Sequence, residues 1–130
     1  KIVMAIHPRT SSLMKTFGLK KEEFKNIEFI EPQSYFENLS YLYHSNGLIT
    51  DSGGMQKEAY WLTKKCVTIR KETEWVETLV EDNNTLLFED LSLMQSFLTN
   101  KQVTSFNEKL YGDGTSALKI VDKIIGVFNK

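Results

Sequence analysis

Leu48-Ile49-Thr50-Asp51-Ser52-Gly53-Gly54-Met55-Gln56-Lys57-Glu58-Ala59 is the stretch on which both the fold and the candidate site turn. Its short apolar opening, ended by Asp51, reads as a buried strand, Gly47–Asp51. A helix is expected straight after it, over about Gly53–Thr63. Ser52 is of the type favoured at a helix N-cap, and Gly53 and Gly54 put no side chain between the backbone and a ligand. The first-turn N–H groups of such a helix lack partners within it and lie at the positive end of its dipole. A phosphate or diphosphate suits that position. Glu58, one turn beyond Gly54 on the same face, could accept two hydroxyls of a ribose. An ordinary strand-to-helix turn with a solvated Glu explains the same residues equally well, because short glycine pairs are common.

Outward from this stretch, apolar runs alternate with amphipathic ones. Further strands are expected at Lys1–His7, Ile27–Glu31, Lys65–Arg70 and Thr85–Phe88. A helix between the second and third strands carries Tyr35, Phe36, Leu39, Leu42 and Tyr43 on one face. Shorter helices are expected from about Thr73 and over Leu91–Leu98. A long last helix repeats Ala117, Val121, Ile124, Ile125 and Phe128 on one stripe. Asn83-Asn84 and Gly112-Asp113-Gly114 read as turns. This alternation predicts an α/β fold, a parallel sheet with helices on both faces, whose ligands gather at the carboxyl edge of the strands. One domain over residues 1–130 is expected.

Composition narrows the function classes. The 130 residues carry 16 basic and 17 acidic side chains, a net charge of −1 that offers no basic field to a nucleic-acid backbone. No apolar run approaches the roughly 20 residues of a membrane span, and the basic start lacks a signal-peptide core. The lone Cys66 excludes an internal disulfide and suits a reducing compartment, so a cytoplasmic location is expected. With two histidines and one cysteine, a structural zinc site is not expected. The chain opens on Lys1 without Met, inside the apolar run Ile2–Ile6, which reads as a piece of a longer protein.

Several motifs together resemble the C-terminal half of the non-hydrolysing UDP-N-acetylglucosamine 2-epimerases. Thr50–Ala59 is similar to that family's TDSGG-x-Q-x-EA signature. The strand ending in Arg70, followed by Thr73-Glu74 and Glu77, resembles its strand-Arg and TERPE-like motif. His7-Pro8, Glu31-Pro32-Gln33-Ser34-Tyr35 and Tyr111-Gly112-Asp113-Gly114 resemble its histidine–proline strand end, its D/E-P-x-x-Y segment and its terminal YGDG. The matches run in order along nearly the whole chain.

The resemblance implies a Rossmann-like lobe of a two-lobed GT-B architecture, the lobe that holds the nucleotide. It implies that Ser52, Gly53 and Gly54 bind the diphosphate, Glu58 the ribose, and Gln33 lies beside the uracil, with Arg70 adding positive charge. The family usually places an aromatic five residues after this Gln. Asn38 stands there instead, leaving Tyr35 or Phe36 to take its place. Trp75-Val76 replaces the commoner Arg-Pro, while Glu74 and Glu77 keep places in the cleft or its closure. The implied reaction inverts C2 of the sugar, interconverting UDP-GlcNAc and UDP-ManNAc. UDP leaves by elimination and adds back to the other face of the glycal, with no cofactor or metal. The acid–base groups belong to the missing N-terminal lobe, so no catalytic residue is assigned here and the chain alone is expected to be inactive. The full-length enzyme is expected to be a homodimer.

Other residues carry plainer readings. His7 ends the first strand at the ligand edge, where a substrate-side role and a structural hydrogen bond are equally expected; His44 reads as a surface residue near a helix C-terminus. Cys66 reads as a small core residue, Trp61 and Trp75 as packing anchors, and at least two of Glu72, Glu74, Glu77 and Glu81 as solvated. The alternatives to the epimerase half are a hydrolysing epimerase, a GT-B glycosyltransferase with the same diphosphate cradle, or a non-catalytic UDP-sugar-binding subunit.

Overall fold

The computed structural model describes residues 1–100, 106–107 and 109–128, without the side chains of Glu81 and Asp82. The sequence reading of Glu81 therefore lies outside the described side chains. The chain divides into two compact units, one from Lys1 to Tyr41 and one from Leu42 onward.

In the first unit, β1 (Ile2–Ala5) pairs in parallel with β2 (Ile27–Ile30), Ile2 opposite Ile27 and Ala5 opposite Ile30. The crossover contains α1 (Pro8–Thr16) and a 3₁₀ turn, Lys21–Glu23. Helix α1 was not foreseen, because its sequence has no apolar stripe. Pro8 at its first position and His7 at its N-cap nucleate it: His7 Nδ1 accepts the Arg9 N–H at 3.2 Å. Helix α2 (Tyr35–His44) starts on a reciprocal box, in which the Ser34 N–H donates to Glu37 Oε2 at 2.8 Å and the Glu37 N–H to Ser34 Oγ at 3.4 Å. Of its expected apolar face only Leu42 is buried; Tyr35, Phe36 and Tyr43 are exposed.

The second unit holds β3 (Gly47–Thr50), β4 (Lys65–Thr68) and β5 (Asn84–Leu86), all parallel, with β4 in the centre. All four β4 residues are buried, as a central parallel strand requires. Alternate β4 side chains face opposite ways. Cys66 packs with Ala59 of α3 (Gly53–Trp61) and with Leu42, whereas Lys65 lays its Nζ over Phe97 of α4 (Met94–Thr99) at 5.1 Å. Helices thus cover both faces of β4, as the alternating pattern predicts. Burial pushes the Cys66 thiol up to about 11.

The strands lie within a residue or two of their expected positions, but they form two hydrogen-bonded sheets rather than one. The helix expected from Thr73 is instead a 3₁₀ segment, Val76–Asp82. Asn83-Asn84 is not an exposed turn: both side chains are buried, and Asn84 opens β5. Trp61 is not a core anchor, being 63% exposed with its ring edge against Tyr111. Helix α5 (Ser116–Phe128) forms as expected, and its stripe of Val121, Ile124, Ile125 and Phe128 is exposed. Gly112 and Gly114 before it hold φ of +86° and +78°, the left-handed backbone that favours glycine.

Candidate functional site

At the carboxyl end of β3 the chain turns directly into α3. Ser52 occupies the N-cap with extended backbone (φ −82°, ψ 126°), but its hydroxyl makes no capping bond. Its N–H donates to Thr50 Oγ1 at 3.0 Å and its carbonyl accepts Gln56 Nε2 at 3.3 Å, so both backbone groups of the cap are held by neighbours. Without a capping side chain, the first-turn N–H groups keep their capacity for an external anion. Gly54 has open space where a Cβ would stand, with only Ser52 Oγ at 4.0 Å. Glu58 is half-buried one turn further along the same helix.

A buried polar network fixes this corner from beneath. Gln56 is fully buried, and its Oε1 accepts Thr73 Oγ1 at 2.7 Å and Asn84 Nδ2 at 3.1 Å. Asn84 Nδ2 also donates to Thr78 Oγ1 at 3.0 Å, while its Oδ1 accepts Thr68 Oγ1 at 2.8 Å. The Trp75 N–H closes the 73–75 turn onto Thr73 Oγ1 at 3.1 Å. The network ties the start of α3 to β4, β5 and the loop after β4. Buried polar groups cost several kcal/mol, roughly, when left without partners, so a satisfied set of this kind specifies one geometry.

The loop after β4 then lays three side chains at the start of α3. Arg70 Nη1 pairs with Glu74 Oε2 at 2.9 Å. The Glu74 carboxylate presses against Gly53, where a Cβ would collide with Oε1, and Trp75 Nε1 stands 3.4 Å from the same point. Lys57 Nζ sits 3.8 Å from the centre of the Trp75 ring, a close cation–π contact. Trp75 Nε1 is buried and makes no hydrogen bond among the described residues. Tyr111, from the YGDG turn, sets its ring edge-on to Tyr60, Trp61 and Trp75. Burial first, and then the nearby Glu77 charge, push its phenol up to about 12. Among the described residues no hydrogen bond of good geometry reaches its Oη, and Glu77 acts on it chiefly through charge.

Ser52, Gly53, Gly54, Glu58, Arg70, Glu74 and Glu77 therefore share the second unit, and contacts through Glu74 join Arg70 to Gly53. Gln33, Tyr35, Asn38 and His7 belong to the first unit. Gln33 Nε2 donates to the Glu31 carbonyl at 2.6 Å, and His7 Nδ1 is engaged in capping α1. Sequence reasoning did not place Lys57, Gln56 and Asn84 at the site. A weak signal existed for Gln56, whose i+4 spacing from Ser52 is one helical turn. Among the described residues no group of three or more His, Cys, Asp or Glu could hold a metal ion. No described helix is long and apolar enough to cross a membrane.

A family profile described as UDP-N-acetylglucosamine 2-epimerase matches residues 1–125. The chain belongs to that family. It is 35% identical over 126 residues to a UDP-N-acetylglucosamine 2-epimerase homolog of Methanococcus maripaludis, covering 94% of this chain and 35% of that protein. It is 34% identical to the UDP-2,3-diacetamido-2,3-dideoxy-D-glucuronate 2-epimerase of Pseudomonas aeruginosa, covering 93% of this chain and 34% of that one. The Methanocaldococcus jannaschii UDP-GlcNAc 2-epimerase, solved in complex with UDP-GlcNAc and UDP, superposes with a TM-score of 0.80 at 33% identity. That match covers 95% of this chain and 35% of the other. The chain thus spans about a third of the length of these family members, and its parallel-sheet α/β fold corresponds to a portion of their structures.

Proposed function

We propose that this chain is the UDP-binding, C-terminal part of a UDP-N-acetylglucosamine 2-epimerase, one lobe of a GT-B architecture. The observation that carries the reading is the start of α3: Ser52, Gly53 and Gly54 open the helix directly after β3, and the Ser52 side chain makes no capping hydrogen bond to its first turn. The N–H groups of that turn, with Arg70, would receive the diphosphate, while Glu58 takes the ribose hydroxyls. As the C1–O bond breaks, negative charge grows on the leaving diphosphate, and donors already in place stabilise it without reorganising. The same contacts retain UDP while the sugar presents its other face, so the intermediate is not lost. Proton removal and return at C2 need an acid and a base matched to the task, which this reading assigns to the remaining two-thirds of the enzyme. Similarity to the diacetamido-glucuronate 2-epimerase supports the part shared by both reactions, UDP retention during inversion at C2, rather than one sugar. A cytoplasmic location and a homodimeric parent enzyme complete the proposal.

Calorimetric titration of the chain with UDP tests it. Ser52→Ala and Glu58→Ala should each weaken binding by about tenfold, the loss of one hydrogen bond to a charged or buried partner. Unchanged affinity in both variants would show that the nucleotide is not held by this turn. The 130-residue chain should show no epimerisation of UDP-GlcNAc; measurable turnover would refute the assignment of the acid–base groups to the other lobe.

A further inference from the structure

The most informative side chain at the start of α3 is an anion of the protein itself. The Glu74 carboxylate lies against Gly53, with one oxygen where a Cβ would be and the other 2.9 Å from Arg70 Nη1. It thus stands against the first residue of the helix and pairs with the one arginine of the corner. We propose that Glu74 is a built-in competitor of the ligand phosphate, a carboxylate that covers the α3 N-terminus and holds Arg70 until a diphosphate displaces it from both. The inference rests on the cradle reading above and adds its regulation.

Three further observations bear on it. The pair is exposed enough to exchange, with side-chain exposures of 36% for Arg70 and 51% for Glu74, and exposed pairs are weak. Its own backbone N–H, and then Arg70, hold the Glu74 carboxyl below its ordinary range, so it is present as an anion at neutral pH. Trp75 Nε1, beside the same Gly53, is a buried donor with no acceptor among the described residues. A phosphate oxygen replacing the carboxylate would supply that acceptor, with Lys57 over the indole adding positive charge. Ligand binding then exchanges one carboxylate for one phosphate at Arg70 and completes a hydrogen bond that is unmade among the described residues.

The test is calorimetric titration of the chain and of Glu74→Gln, which keeps the shape and removes the charge, with UDP and separately with inorganic pyrophosphate. Glu74→Gln should bind both about 2- to 5-fold more tightly, the equivalent of one exposed ion pair released. The gain should shrink in an Arg70→Gln background, since part of it comes from freeing that arginine. Unchanged or weaker binding by Glu74→Gln would overturn the inference, weaker binding meaning that Glu74 is a ligand contact. Ser52→Ala and Glu58→Ala separate the two levels. If they weaken UDP binding while Glu74→Gln does not strengthen it, only the competition fails. If they leave it unchanged, the cradle itself is misplaced, and no heat with either chain sinks both.

Discussion

Helix α5 is richer in apolar residues than strand β4, yet the two have opposite fates. All four residues of β4 are buried, whereas Leu118, Ile120, Val121, Ile124, Ile125, Val127 and Phe128 of α5 are each at least half exposed. What separates them is not hydrophobicity but company. β4 has a strand on each edge and helices on both faces, and its polar residue Thr68 is hydrogen-bonded to Asn84. The corner that carries the candidate site is built on the β4 side of this contrast. Its largest fully buried side chain is an amide, Gln56, so the rigidity of the cradle comes from satisfied polar bonds as much as from apolar burial.

The largest expected effect breaks that network. Gln56→Ala removes the acceptor of Thr73 and Asn84 and the donor to the Ser52 carbonyl, and leaves a cavity. A loss of about 3 kcal/mol in urea unfolding is expected, with nucleotide affinity falling alongside it. Ile124→Ala in α5, by contrast, should change stability by less than about 0.5 kcal/mol, because that side chain is already half in water. Equal costs for the two substitutions would erase the distinction between the regions.

Cys66 sharpens the same contrast through pH. Its thiol is raised from 9.0 to about 11, chiefly by burial. The unfolded chain therefore releases this proton first as the solution becomes alkaline. The stability it contributes is complete below pH 9.0 and is lost as pH rises through about 11, for a total of up to about 2–3 kcal/mol. Tyr111, raised to about 12, adds a loss of the same sign at still higher pH. Urea midpoints measured across this alkaline range should fall, and Cys66→Ala should flatten the first part of the decline. A thiol reagent at pH 8 should modify the wild-type protein only as fast as it unfolds.

Which parts were legible in sequence follows from the same physics. The strands were, because a short apolar run ended by a turn residue has few other uses. The direct passage from β3 into α3 was also legible, because Ser52, Gly53 and Gly54 are local neighbours. Helix α1 was missed because Arg9, Thr10, Ser11 and Ser12 give no apolar period; its only signal was a proline after a residue able to cap. Asn84 was misread because asparagine marks turns when exposed, while here three polar partners, Thr68, Gln56 and Thr78, make it a buried bridge. The contact between Glu74 and Gly53 joins positions about twenty residues apart, and no local pattern announces which acidic residue of that loop turns inward.

A smaller effect is expected where α3 ends. Thr63 holds φ +55°, a left-handed conformation costly for a β-branched residue, while its N–H and that of Lys64 close the last turn onto Tyr60 and Ala59. Thr63→Gly keeps those backbone bonds and should raise stability by about 1 kcal/mol, read as an upward shift in the urea midpoint. The shift should leave UDP affinity unchanged, since the substitution lies at the end of α3 remote from Ser52.

The smallest expected change lies at the start of α5, the exposed side of the comparison. Asp113 accepts the Thr115 hydroxyl and the Thr115 N–H, and Lys119 Nζ approaches at 3.2 Å. The Thr115 hydroxyl foremost, then its N–H and Lys119, lower the Asp113 carboxyl from 3.8 to about 2. A lowered pKa means that the folded helix favours the anion. The contribution is present above 3.8 and disappears as pH falls through about 2. Carboxyl-detected NMR should find Asp113 titrating well below the ordinary aspartate value of 3.8, and Asp113→Asn should fray the first turn of α5 without moving the resonances of β4. If β4 did respond, the helix would be packed on the core after all, and its exposed stripe would need a different account.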